Sequence, residues 1–117
     1  MDLFDFIDEE PAVAKPPVQT LKEKIRQRRA QMLIHSCIYY ELNDTVVDDH
    51  TWQRWADELE QLQKDNPDSI DIGFFDREFK DWDGATGNHL PHRHPWVLSK
   101  ATRILEYNEL KKNLHGF

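Results

Sequence analysis

Trp52, Trp55, Ala56, Leu59 and Leu62 recur at i, i+3, i+4, i+7 and i+10, the spacing that gathers apolar side chains on one face of an α-helix. Asp48 stands just ahead, where its carboxylate can accept a free first-turn N–H, Asp49 falls inside that turn, and Pro67 ends the run. A helix with such a stripe needs another element to cover it, because packing rather than propensity supplies most helical stability. The preceding stretch is the natural cover. Thr20 and Glu23 match a capping box, so a helix is expected to begin near Leu21. Its first half sets Leu21 and Ile25 among Lys22, Lys24, Arg26, Arg28 and Arg29; from residue 32 to 42 it is apolar on most sides. Asn43, Asp44 and Thr45 read as a turn, and a connection of about six residues returns the chain as an antiparallel helical hairpin.

Beyond Pro67, the series Ile72, Phe75, Phe79 and Trp82 predicts a short helix stopping at Gly84, whose missing Cβ suits a left-handed cap. A loop over residues 85–94 follows. Pro95 then opens a last helix with a buried face of Val97, Ala101, Ile104 or Leu105, and Leu110 or Leu114, ending before Gly116. No alternating strand pattern and no internal repeat occurs. A chain of 117 residues, 38% hydrophobic and 11% aromatic, has enough apolar surface for one modest core. The expected fold is all-α: a small bundle of about four helices, with a flexible acidic tail over residues 1–19 and one helical domain over 20–117. Within that domain, 20–67 is the hairpin and 68–117 the accessory helices.

The formal charge of −7 repels phosphate backbones, so direct nucleic-acid binding is not expected; the basic strip over residues 22–29 reads as a solvated helix face. One cysteine, Cys37, cannot form an internal disulfide and fits a reducing cytoplasm. No run approaches the roughly 20 apolar residues of a membrane span, and the N-terminus opens with acids. A cytoplasmic protein of a bacterial cell with no membrane contact is expected. In the tail, Leu3, Phe4, Phe6 and Ile7 alternate with acids, a pattern that could dock into a partner's groove or simply be a frayed terminus. The Asp-Leu-Phe core resembles short peptides that bind bacterial sliding clamps.

The hairpin also carries a specific series: His35, the pair Tyr39-Tyr40, the turn Asn43-Asp44-Thr45, Val46-Val47, Asp48-Asp49, Trp52, then Asp57-Glu58-Leu59 and Asn66-Pro67. Over residues 22–67 this resembles the N-terminal helical domain of bacterial NAD-dependent DNA ligases, which grips the nicotinamide mononucleotide half of NAD. The resemblance implies a nicotinamide mononucleotide or NAD site at Tyr39, Tyr40, Asp49, Trp52 and Gln53. Aromatic faces would stack on the nicotinamide ring, with a cation–π gain for the oxidised ring, and Asp49 would accept from ribose hydroxyls. Phosphate would meet the start of the second helix, or Arg26 or Arg29. Trp52-Gln53 stands where the family has an aromatic and an acid, and Tyr40 where many ligases have histidine. Structural alternatives remain for four of the five: Trp52 as a core anchor, the tyrosines as core filler, Asp49 as a first-turn acid answering the helix dipole.

The ligases' adenylating Lys-x-Asp-Gly is not matched, since Lys80-Asp81-Trp82-Asp83-Gly84 has one residue too many. That segment, with His89-Leu90-Pro91 and His94-Pro95-Trp96, resembles the second half of small phage and mobile-element proteins described as ligase-related. His89, His92 and His94 near Asp81 and Asp83 are weak candidates for a divalent metal, but no cysteine or helix-spaced ligand pattern accompanies them, and no metal is expected. No nucleophile elbow, phosphate-cradling loop or zinc-protease motif occurs, so an enzyme is not expected. Three functions follow. The first is a non-catalytic, ligase-like accessory protein of phage or mobile-element type that binds nicotinamide mononucleotide or NAD. The second is an acidic protein–protein inhibitor of a host defence nuclease, of anti-CRISPR character. The third is a replication adaptor that hooks a sliding clamp through Leu3 and Phe4. In the latter two the partner is another protein.

Overall fold

The computed structural model describes residues 19–115. Helix α1 runs Leu21–Tyr40, α2 Asp49–Asp65, the short α3 Asp76–Phe79 and α4 Pro95–His115; a 3-10 turn spans Pro67–Ser69, and no strand occurs among the described residues. The capping box forms: Glu23 N–H donates to Thr20 Oγ1 at 3.1 Å, and Thr20 N–H donates to Glu23 Oε1 at 3.3 Å. Asp48 caps α2 by accepting from Thr51 N–H at 2.7 Å, and that hydrogen bond holds its carboxyl below the ordinary value. Between the helices Asn43 takes φ 51°, a left-handed conformation that asparagine tolerates better than most residues, and Asp44 N–H donates back to the Ile38 carbonyl at 3.1 Å.

The two helices are antiparallel, because cross-helix partners climb one as they descend the other: Arg29 pairs with Gln63, and His35, nearly two turns on, with Trp55. Helix α1 is apolar on most sides for a simple reason. It packs against both α2 and α4, so Ile25, Met32, Leu33, Cys37 and Ile38 are all buried. Ala56 and Leu59 of α2, Phe79, Trp82, Leu90, and Val97 and Ala101 of α4 complete the core. Burial pushes the Cys37 thiol pKa upward.

Arg29 departs from the reading of residues 22–29 as a solvated face. Its side chain is fully buried and donates to Gln63 Oε1 at 3.0 Å, to the Phe74 and Ile70 carbonyls at 2.7 and 2.8 Å, and to Asp76 Oδ1 at 2.7 Å. Asp76 also accepts from the N–H groups of Ile72 and Gly73 at 3.0 and 2.9 Å. Gln63 extends the set by donating to the Phe79 carbonyl at 2.8 Å. A buried guanidinium is tolerable only when its donors find acceptors, and here one side chain ties α1 to the loop ahead of α3.

The second half differs from expectation in two places. The helix predicted from Ile72 to Gly84 shrinks to Asp76–Phe79, because Phe75 takes φ 53° and breaks the helical path. Gly84 does adopt a left-handed φ of 73°, but it lies beyond the end of α3, whose cap is Lys80. In α4, Val97 and Ala101 are buried and Ile104 and Leu105 partly so, whereas Leu110 and Leu114 are 58% and 70% exposed. The helix outruns the core that its first half covers. No helix among the described residues is long and apolar enough to cross a membrane. Leu3, Phe4 and Phe6, most of the expected tail and Gly116 lie outside the described residues.

Candidate functional site

Beside the bend of the hairpin lies an open hollow of about 240 Å³. Three parts of the chain form it. The last turns of α1 supply His35, Ser36, Tyr39 and Tyr40, which a helix sets on one side. The first turns of α2 supply Asp49, Trp52 and Gln53, at i, i+3 and i+4, and the bend contributes Asp44. The third part is a wall from residues 85–87, which no local pattern in the sequence tied to the hairpin.

That wall is held at several points. The buried Trp82 donates its indole N–H to the Ala56 carbonyl at 3.0 Å, and Gly84 lies so close that an added Cβ would meet the same carbonyl at 3.3 Å. Gln53 donates to the Gly84 carbonyl at 2.9 Å, and Ala85 N–H to Asp83 Oδ1 at 2.9 Å. On the far side His92 is stacked on Tyr40, centroids 5.1 Å apart and planes 9° off parallel, with its Nε2 2.7 Å from the Gly87 carbonyl oxygen. Gly87 presses directly on α1: a Cβ there would overlap Ser36 Oγ. The segment Lys80-Asp81-Trp82-Asp83-Gly84 therefore works as an anchor for the wall.

All five residues implied by the ligase resemblance line this hollow, in different conditions. Tyr39 is 56% exposed, its ring meeting Tyr40 edge-on at 4.9 Å. Tyr40 is held by the His92 stack and a 3.2 Å contact between its hydroxyl and Thr86 Oγ1. Trp52 is both core and wall: it meets Trp82 edge-to-face at 6.3 Å and still lines the hollow. Asp49 is exposed, and its carboxylate makes no hydrogen bond or ion pair among the described residues. Gln53 is occupied with the loop and with Asp57, to whose carboxylate it donates at 3.0 Å.

Two residues not nominated from sequence stand out. Ser36 Oγ and His35 Nδ1 are buried without a hydrogen-bond partner, and both side chains line the hollow. An orphaned buried polar atom costs on the order of 1–3 kcal/mol, so a ligand that satisfies it gains that much leverage. Burial also lowers the His35 pKa to about 4, leaving the imidazole neutral at pH 7. Their signal was present: His35 and Ser36 precede Tyr39 and Tyr40 by one helical turn.

Other expected participants are elsewhere. Arg29 is buried in its own network, and the exposed Arg26 lies over the Phe74 ring at 4.4 Å; they stand about three and three and a half turns of α1 from Tyr39, roughly 15–20 Å at 1.5 Å per residue. Neither can meet a phosphate in the hollow. The start of α2 is taken too, since the Asp48 carboxylate occupies the place an anion would use. No lysine or arginine lines the hollow, while Asp44 and Asp49 do. The three histidines have separate tasks: His92 as above, His94 capping α4 by accepting from Trp96 N–H at 3.1 Å, His89 beside Trp82. Among the described residues no three His, Cys, Asp or Glu side chains gather as metal donors. No family model, curated protein or solved structure matches the chain, so the likeness to the ligase domain stands on the residues quoted for it.

Proposed function

We propose that this protein is a non-catalytic accessory protein that binds the nicotinamide half of nicotinamide mononucleotide or NAD in the hollow beside the hairpin bend. The observation that carries the reading is the convergence of Tyr39, Tyr40, Asp49, Trp52 and Gln53 on one open cavity. Its size agrees with a ring and a sugar. At about 240 Å³ it falls below the roughly 300–1,000 Å³ of pockets that enclose drug-sized ligands, so the rest of a dinucleotide would lie outside. Tyr39 offers an exposed ring for stacking, and the free Asp49 carboxylate can accept from ribose hydroxyls.

Isothermal titration of the full chain with nicotinamide mononucleotide and NAD tests this. Saturable one-site heat is expected, weakened about tenfold by Tyr39→Ala, which removes a stacking and cation–π partner worth about 1–2 kcal/mol. Absence of heat and of any thermal shift at millimolar ligand would refute the proposal.

A further inference from the structure

The charge around the hollow narrows what it accepts. Resting on the nicotinamide reading above, we infer that the hollow selects an N-ribosylated pyridinium cation without a 5′-phosphate: the oxidised nucleoside, over both its phosphorylated and its reduced forms.

The lining holds the carboxylates of Asp44 and Asp49 and, among the described residues, no lysine or arginine. Asp48 adds a third carboxylate at the adjoining helix start. Arg93 pairs with Glu41 at 3.2 Å, and Arg54 and His50 lie along a neighbouring groove on α2, close enough to Asp48 to offset part of its charge but not on the lining of the hollow. His35 supplies no positive charge at neutral pH. Meanwhile Tyr39, Tyr40 and Trp52 present electron-rich rings, the surface that a cationic ring seeks and a neutral dihydropyridine gains less from. Ser36, 1% exposed and with its Oγ unpartnered, lies on the lining under Gly87 and is the hydroxyl that a small shift of the wall would offer to the amide of a ring carboxamide. A phosphate, by contrast, finds no donor. For an assumed separation of about 8 Å from each of two carboxylates, repulsion in water would cost a doubly charged phosphate about tenfold in affinity at 0.01 M ionic strength and about threefold at 0.15 M.

Titration of the full chain with nicotinamide riboside, its reduced form and nicotinamide mononucleotide, each at low and physiological salt, tests the inference. The oxidised riboside is expected to bind about tenfold tighter than the mononucleotide at low salt, with the gap narrowing as salt rises, and to exceed the reduced riboside at both. The double substitution Asp44→Asn and Asp49→Asn, at two exposed positions, should bring the riboside and mononucleotide within about twofold of each other while leaving the melting temperature close to that of the parent. Mononucleotide binding as tight as riboside, reduced riboside matching oxidised, or a preference that survives the Asn substitutions would overturn the selectivity and leave the nicotinamide site standing. If none of the three ligands binds, the site and the selectivity fall together.

Discussion

Replacing Arg29 with methionine keeps the helix and most of the volume but strands Gln63 Oε1 and the Phe74 and Ile70 carbonyls, and takes the guanidinium from Asp76, whose Oδ1 keeps only the Ile72 N–H. At roughly 1 kcal/mol for each of the four lost hydrogen bonds the loss is about 4 kcal/mol. For a domain near 100 residues, each kcal/mol moves the melting temperature by about 4–8 °C, so a fall of roughly 15–30 °C is expected in a thermal melt. The pH dependence checks the mechanism. Burial alone would raise the Asp76 carboxyl, but hydrogen bonds from Arg29 and from the Ile72 and Gly73 N–H groups hold it below its ordinary 3.8. A carboxyl whose folded pKa is depressed stabilises fully above its unfolded value, and that contribution is lost as pH falls through the folded one. In the parent, this loss sits below pH 3.8; in Arg29→Met, without the Arg29 hydrogen bond and charge, the folded pKa moves up toward or past 3.8, so the acid-side loss should shrink or reverse. The double variant Arg29→Met with Asp76→Asn is expected to cost about 1–3 kcal/mol less than the sum of the singles. A drop under about 5 °C for Arg29→Met, with an unchanged acid profile, would refute the reasoning.

Three further outcomes are expected. Gly87→Ala drives a methyl into Ser36 Oγ and should cost about 1–3 kcal/mol in chemical denaturation, as overpacking does, while weakening ligand binding by displacing the wall. His35→Leu removes an orphaned buried nitrogen and should raise stability at pH 7 by about 1 kcal/mol at the expense of affinity. Because the folded His35 pKa is lowered to about 4 from 6.5, the unfolded chain protonates first, so parent stability falls as pH drops from 6.5 toward 4; urea melts of the leucine variant should lack that slope. Finally, Leu110→Ser and Leu114→Ser, at exposed positions, should each shift stability by less than about 0.5 kcal/mol, and a larger loss would mean that this half of α4 is covered in solution.

The hairpin was legible because its signals are local. Thr20 with Glu23, Asp48, and the 3.6-residue recurrence from Trp52 to Leu62 each act within a turn or two of themselves, and all took the expected form. Where the sequence misled, the deciding partner lay far along the chain. Arg29 looks like one of several solvated basic residues until Asp76 folds back beside it. Ile72, Phe75, Phe79 and Trp82 keep a helical rhythm, yet Phe75 leaves the helical region and most of the series contributes its rings from irregular backbone. Leu110 and Leu114 continue the period of α4 after there is nothing left for it to face. The site divides the same way. The ligase-like series nominated five residues of the lining, all within the hairpin, whereas residues 85–87 belong to it only through tertiary anchors at Trp82 and His92.

The strap from Trp82 to His92 crosses the mouth of the hairpin between two posts, an indole bonded to the middle of α2 and an imidazole laid on the end of α1. Gly84, Gly87 and Leu90 between the posts are fixed by packing, which leaves the exposed positions Ala85, Thr86, Asn88 and His89 as the ones that can change without disturbing either helix. The shape of the hollow is thus partly separable from the fold: exchanging Ala85 or Thr86, the exposed strap residues on its lining, would recontour that wall on a scaffold that need not change.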